Sequence, residues 1–121
     1  MLKGWVNMDS KRKKAILQQF GAAEDRVNDL RKELSVCENP VLRELYEIEK
    51  MTLIEKLVQI EQAVMNMTNM HERRVLWLHY IGDIKNGKRH RLLLWQIANV
   101  MGYSYDWVKG VHGVALKNLK L

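Results

Sequence analysis

Eight residues, Ile97-Ala98-Asn99-Val100-Met101-Gly102-Tyr103-Ser104, leave the chain little conformational choice where they stand. Gly102 supplies the left-handed conformation that ends a helix, and the Ser104 hydroxyl can cap a new helix that begins directly behind it. Ile97 and Ala98 close the first helix against its neighbours. From Ser104 onward Val108, Val111, Ala115, Leu116 and Leu119 recur at helical spacing, which gives that second helix one apolar side. The pattern is that of a helix-turn-helix, whose second helix keeps its opposite side free to face a groove. Any two short helices joined through a glycine turn share this outline, so the charge distribution has to separate the readings.

The chain carries 20 Lys and Arg against 14 Asp and Glu, and the excess of +6 lies entirely at one end. Residues 1–70 hold 11 basic and 11 acidic side chains, whereas residues 71–121 hold 9 basic and 3 acidic. An electropositive segment around a helix-turn-helix attracts a phosphate backbone and releases its counterions, so double-stranded DNA is the expected partner. The competing reading is a solvated basic surface, since charge alone carries no sequence readout.

With 121 residues the chain suits one small domain, or a small domain with a helical extension. Cys37 is the one cysteine, which excludes an internal disulfide and a multi-cysteine zinc site and suits a reducing cytosol. Met1–Ser10 lacks a continuous apolar core and runs into Lys11-Arg12-Lys13-Lys14, so it does not read as a signal peptide. No apolar run is long enough to span a bilayer. A cytoplasmic protein without membrane contact is expected. One proline and seven glycines argue for an all-α fold.

Ile16, Phe20, Ala23, Val27, Leu30 and Leu34 alternate steps of four and three, the repeat of a helix that packs along another. After a break at Glu38-Asn39-Pro40, Leu53, Leu57, Ile60, Val64 and Met67 repeat that spacing, and Leu42, Leu45 and Ile48 extend it backward. The two predict a long antiparallel helical hairpin over residues 1–70. Its apolar edge exceeds what two helices cover, so it packs on the C-terminal part or on a second copy in a homodimer. Lys11 to Lys14 reads as a solvated basic run near a helix start.

A third helix is expected after Thr68 or Asn69, with Asn69 and Glu72 as a capping pair, running through Ile81 to a stop at Gly82. Residues 82–91 then form a polar connection carrying Lys85, Lys88, Arg89 and Arg91 around Asn86-Gly87. Asn-Gly is a hairpin signal, but only Ile84 has strand character. A flexible loop is therefore favoured over a small basic wing. In either form these cations can reach phosphates. The fourth helix covers Leu92 to Met101 and the fifth Ser104 to about Leu119.

The order Glu72-Arg73-Arg74-Val75-Leu76-Trp77-Leu78-His79-Tyr80-Ile81, then Trp95-Gln96-Ile97-Ala98, Gly102-Tyr103-Ser104, Val108 and Ala115-Leu116-Lys117-Asn118-Leu119 resembles region four of bacterial sigma factors. More narrowly, it is similar to the ArpU- and RinA-like regulators of phages and prophages of Gram-positive bacteria. That resemblance covers residues 71–119 and implies a sigma-region-four-like three-helix helix-turn-helix domain over 71–121. It implies a phage transcription regulator that binds promoter DNA. By position, the recognition helix starts at Ser104 and turns Tyr105, Asp106, Trp107, Lys109 and Gly110 toward the major groove. The chain departs from the sigma pattern there, with two aromatics, an acid, one lysine and a glycine in place of arginine, glutamate and glutamine. Lys109 can contact phosphate or guanine, Asp106 can accept from a cytosine amino group, and Tyr105 or Trp107 can touch a thymine methyl. Trp107 fits equally well as packing against the third helix or the loop. Lys117 is a further candidate DNA contact. Trp95 sits one turn before Ile97 and Ala98 and matches an aromatic position of the phage-type relatives, so it is expected in the core, where its loss unfolds the domain.

An enzyme is hard to build from these residues. Glu72, Asp83 and Asp106 lie in different elements and offer no carboxylate pair, and His71, His79, His90 and His112 lack the spacing of a metal motif. No metal or cofactor is expected. The rival class is a helical adaptor that grips RNA polymerase or a sigma factor without reading DNA. An exposed basic surface joining Lys109, Lys117 and the 82–91 segment favours DNA. An exposed apolar patch of Tyr103, Tyr105 and Trp107 without cations around it favours the adaptor.

Overall fold

Asn39 and Pro40 show how local chemistry sets the boundaries of the helices. Asn39 Oδ1 accepts from the backbone N–H groups of Val41 and Leu42 at 3.0 and 3.1 Å, and Pro40 takes the first helical position, where its missing N–H costs nothing. The computed structural model describes residues 9–121, so the leader reading of Met1–Ser10 lies, through Met8, outside the described residues. It is mostly helical: α1 is Ser10–Gln18, α2 Phe20–Val36, α3 Pro40–Met65, α4 Met70–Leu76, α5 Leu94–Met101 and α6 Tyr105–Asn118. A π-helical turn, Trp77–Ile81, extends α4, and two short strands, β1 Asp83–Lys85 and β2 Lys88–His90, precede α5.

The first apolar stripe, expected on one helix, is divided at Gln19, whose N–H donates to Ile16 O at 3.1 Å in a tightened turn. The bend has a packing reason. It lets α1 lie on α6 and the π-turn, while α2 runs back along α3. Arg43 seals the far end of that pair by donating to Leu34 O at 2.8 Å, and Arg26 meets Glu49 at 2.7 Å farther along. The second stripe is only half used. Leu57, Ile60, Val64 and Met67 are buried, whereas Leu42, Leu45 and Ile48 are exposed together with Val41. Among the described residues α2 lies along α3 there, and Tyr46, Lys50 and Leu53 are half-buried.

Two apolar cores share α4, the π-turn and α6. Leu76, Tyr80 and Ile81 face the larger core with Phe20, Leu57 and Val64, while Val75 and Leu78 face the smaller one with Ile97, Ala98 and Val108. A π-turn widens the helix by one residue per turn, which lets five of seven consecutive side chains, Val75 to Ile81, be buried on two sides. Helix α6 divides likewise, with Val108 in the smaller core and Ala115 and Leu116 in the larger, which Leu119 joins just past the helix end. The larger core therefore joins residues from both sides of position 70.

The 82–91 segment, expected first as a flexible loop, is a β-hairpin. Asp83 pairs with His90, Ile84 with Arg89 and Lys85 with Lys88, closed by Asn86 and Gly87 at φ of 53° and 75°. Positive φ at both central residues is the type I′ turn that matches the strand twist. Tertiary ties supply what strand propensity lacks: Trp77 Nε1 donates to Asp83 at 3.0 Å, and Leu92 N to Leu78 O at 2.9 Å. Gly82, at φ 83°, ends the π-turn, and a Cβ there would come within 2.7 Å of His90 O. Alanine does not fit.

Candidate nucleic-acid interface

The turn between α5 and α6 is built as its residues require. Gly102 adopts φ 76° and ψ 28°, and its N–H and that of Tyr103 both donate to Ala98 O, at 2.9 and 3.1 Å. Ser104 is extended, and its Oγ accepts from Trp107 N at 3.1 Å. Its hydroxyl is thus the cap of α6. Upstream, Asn69 Oδ1 caps α4 by accepting from Glu72 N at 3.0 Å, but Glu72 does not complete the pair expected of it. Its carboxylate accepts from Asn118 Nδ2 at 2.8 Å and ties α4 to the end of α6.

Of the aromatic residues expected on the outward side of α6, the structure turns only Tyr105 to solvent. Trp107 is half-buried, stacks on Tyr103 with ring centroids 4.0 Å apart, and meets the His71 ring edge-on at 5.2 Å. It packs against α4, the alternative that its position had left open. Tyr105, Asp106, Lys109 and Lys117 are exposed. Lys109 Nζ lies 3.3 Å from Asp106 and 4.6 Å from the Tyr105 ring centroid. An exposed i,i+3 pair contributes about 0–1 kcal/mol, so Lys109 is free to exchange Asp106 for a phosphate or a base edge.

The hairpin separates its four cations. Lys85 and Lys88 face each other across the turn and are exposed. Arg91 lies over Gly21, where a Cβ would come within 2.8 Å of its Nη2. Arg89, expected among the phosphate contacts, is turned inward. Its side chain is 14% exposed, its Nε is 3.0 Å from Glu24 and its Nη2 3.2 Å from Glu61. The Lys11 to Lys14 cluster is corrected in the same way at one position. Lys13 is buried, and its ammonium donates to Lys117 O at 3.0 Å, at the end of α6, where the helix dipole favours a cation. Its place one turn before Leu17 on the inward side was the available signal.

Trp95 is also corrected, being 49% exposed. Leu94, Ile97, Ala98 and Met101 fill the inward face of α5 at helical spacing and leave Trp95 on the outer side. We expect Trp95→Ala to cost no more than about 1 kcal/mol in urea denaturation, in place of unfolding the domain.

A half-buried polar cluster joins the π-turn to α6. Tyr80 Oη lies 2.7 Å from His112 Nε2, and His79 Nδ1 donates to Leu92 O at 2.7 Å with its ring 5.6 Å from that of His112. His112 stands four residues after Val108 on the inward stripe, which was the signal for it. Burial, with His79 and Lys14 nearby, pushes the His112 pKa down to about 4, and burial pushes Tyr80 up to about 12. The unfolded chain, with an ordinary histidine, takes up this proton first as pH falls. Stability from this site is therefore complete above pH ~6.5 and is lost as pH drops toward 4, by on the order of 2 kcal/mol after allowance for partial exposure. Urea midpoints compared at pH 7 and 4.5 should show a larger loss for the native chain than for His112→Gln.

Among the described residues, no helix is long and apolar enough to cross a membrane, and no three His, Cys, Asp or Glu side chains gather as metal ligands. Comparison of the chain with protein-family models, curated proteins and solved structures finds no match.

Proposed function

We propose that this chain is a cytoplasmic phage or prophage transcription regulator that binds promoter DNA through α5, the Gly102 turn and α6, a helix-turn-helix like that of sigma region four. In this reading residues 71–121 are the DNA-binding part, and the α2–α3 hairpin of residues 1–70 serves assembly, with a second copy as partner. The observation that carries it is the outward face of α6. Val108, Ala115 and Leu116 anchor the helix from beneath, so Tyr105, Asp106 and Lys109 project together from its first turns. That is the end a recognition helix inserts in the major groove, and its N–H dipoles favour phosphate. Lys85, Lys88 and Lys117 add exposed cations for the backbone.

The adaptor reading, with RNA polymerase or a sigma factor as partner, draws on Leu93, Trp95, Val100 and Tyr103, which are exposed around α5. Against it, Lys109 lies over Tyr105, and Trp107 is held on α4. The aromatic patch that it requires is therefore neither free of cations nor fully exposed. The test is fluorescence anisotropy against fragments from upstream of the protein's own gene and its neighbours, with scrambled competitor and a salt series. Saturable binding that survives competitor supports the regulator. Binding that competitor or modest salt removes reduces the interaction to phosphate attraction and favours the adaptor.

A further inference from the structure

We propose that Arg89 is a positioning residue: clamped by Glu24 and Glu61, it sets the β-hairpin on α2 and α3 so that Lys85 and Lys88 meet a phosphate backbone as a fixed pair. The inference rests on the DNA-binding reading above. A two-stranded hairpin of three-residue strands has almost no stability of its own. Apolar packing does not hold this one, since Ile84 is exposed. Beside the Trp77 and Leu92 bonds that tie its ends to the π-turn, Arg89 supplies the attachment to α2 and α3. Its guanidinium reaches Glu24 of α2, Glu61 of α3 and the carbonyl of Gly82 at 3.1 Å, and lies 5.4 Å from the Phe20 ring centroid. A planar fork that engages three acceptors on different segments fixes direction as well as distance.

That direction decides where the lysines go. Ile84 and Arg89 are opposite each other and project on one side of the ribbon, so Lys85 and Lys88, the next pair, project on the other. Two like charges facing each other across a ladder repel, and a bound phosphate relieves the repulsion. The N-terminal helices thereby orient the backbone contact, through two carboxylates that never touch the nucleic acid.

The test compares Glu24→Gln with Glu61→Gln together, Lys85→Ala with Lys88→Ala together, and the combination of all four. Hydrogen exchange of the free protein should show hairpin amides of the double glutamine variant opening at least fivefold more readily, with α5 and α6 unchanged. On duplex DNA, the double alanine variant should flatten the log affinity against log salt slope by about two. The glutamine pair should flatten it nearly as much, and the combination no further. Should the glutamine pair fold poorly by circular dichroism, Arg89→Lys, which keeps the charge and loses the fork, should loosen the hairpin in the same assay. Unchanged hairpin exchange, or additive slopes in the combination, overturns the clamp. If the native chain binds no DNA, the functional reading fails by itself, and the presentation of Lys85 and Lys88 to phosphate fails with it, whatever the exchange result.

Discussion

Phe20→Ala should lower stability by about 3–5 kcal/mol, the largest loss expected from any single truncation here. The ring is fully buried at the start of α2, in a core that also takes Leu17 from α1, Leu57 from α3, Ile81 from the π-turn and Leu116 from α6. No single element can move to fill the space, because each is held by its own neighbours. The Arg89 guanidinium also loses the surface beneath it. Small domains have only about 5–15 kcal/mol in all, so the variant will sit near its midpoint at moderate temperature. Since residues from both sides of position 70 share this core, tryptophan fluorescence should report the same midpoint as far-ultraviolet circular dichroism. Two separate midpoints would contradict a shared core. Val36→Ala, at a position 76% exposed, is the control and should change stability by less than about 0.5 kcal/mol.

Lys109→Glu should reduce affinity for duplex DNA by roughly 100-fold while leaving the melting temperature nearly unchanged. The two halves of this expectation have different causes. Lys109 is exposed and its pairing with Asp106 is a surface pair, so its loss hardly affects folding. In a groove the same side chain lies among phosphates and base edges, where one well-placed contact is worth about 1–3 kcal/mol and a carboxylate adds repulsion. Lys56→Glu, on the exposed surface of α3, should cost far less. Equal losses from both reversals would mean that only net charge matters.

What was legible in the sequence was local. Gly102, Ser104, Asn69, Asn39 and Pro40 act within three residues of themselves, and each helix boundary they imply lies within two residues of where the structure has it. The apolar stripes likewise gave most of the core. What was not legible depended on partners far along the chain. Arg89 meets Glu24 across 65 positions and Glu61 across 28, so the sequence neighbourhood of Arg89 reads simply as a basic loop. The hairpin follows from the Asn86-Gly87 turn, whose signal the sequence carries, and from that anchor and Trp77, not from strand propensity. Trp95 fails for a different reason. Its place one turn before Ile97 and Ala98 points to the core, as the resemblance does, whereas the inward face of α5 runs through Leu94, Ile97, Ala98 and Met101 and leaves Trp95 outside. Around the start of α6 the three aromatics look alike in sequence, and only the position of His71 on α4 separates Trp107 and Tyr103 from Tyr105.

The most direct test of the central claim is an amide chemical-shift titration of the full chain with a duplex carrying an upstream site. The account predicts that the largest perturbations fall together on Tyr105 to Gly110 of α6 and Lys85 to Lys88 of the hairpin, with α2 and α3 nearly silent. Perturbations confined to Leu93 to Val100 or to the exposed side of α3, or no saturable change at all, would contradict it.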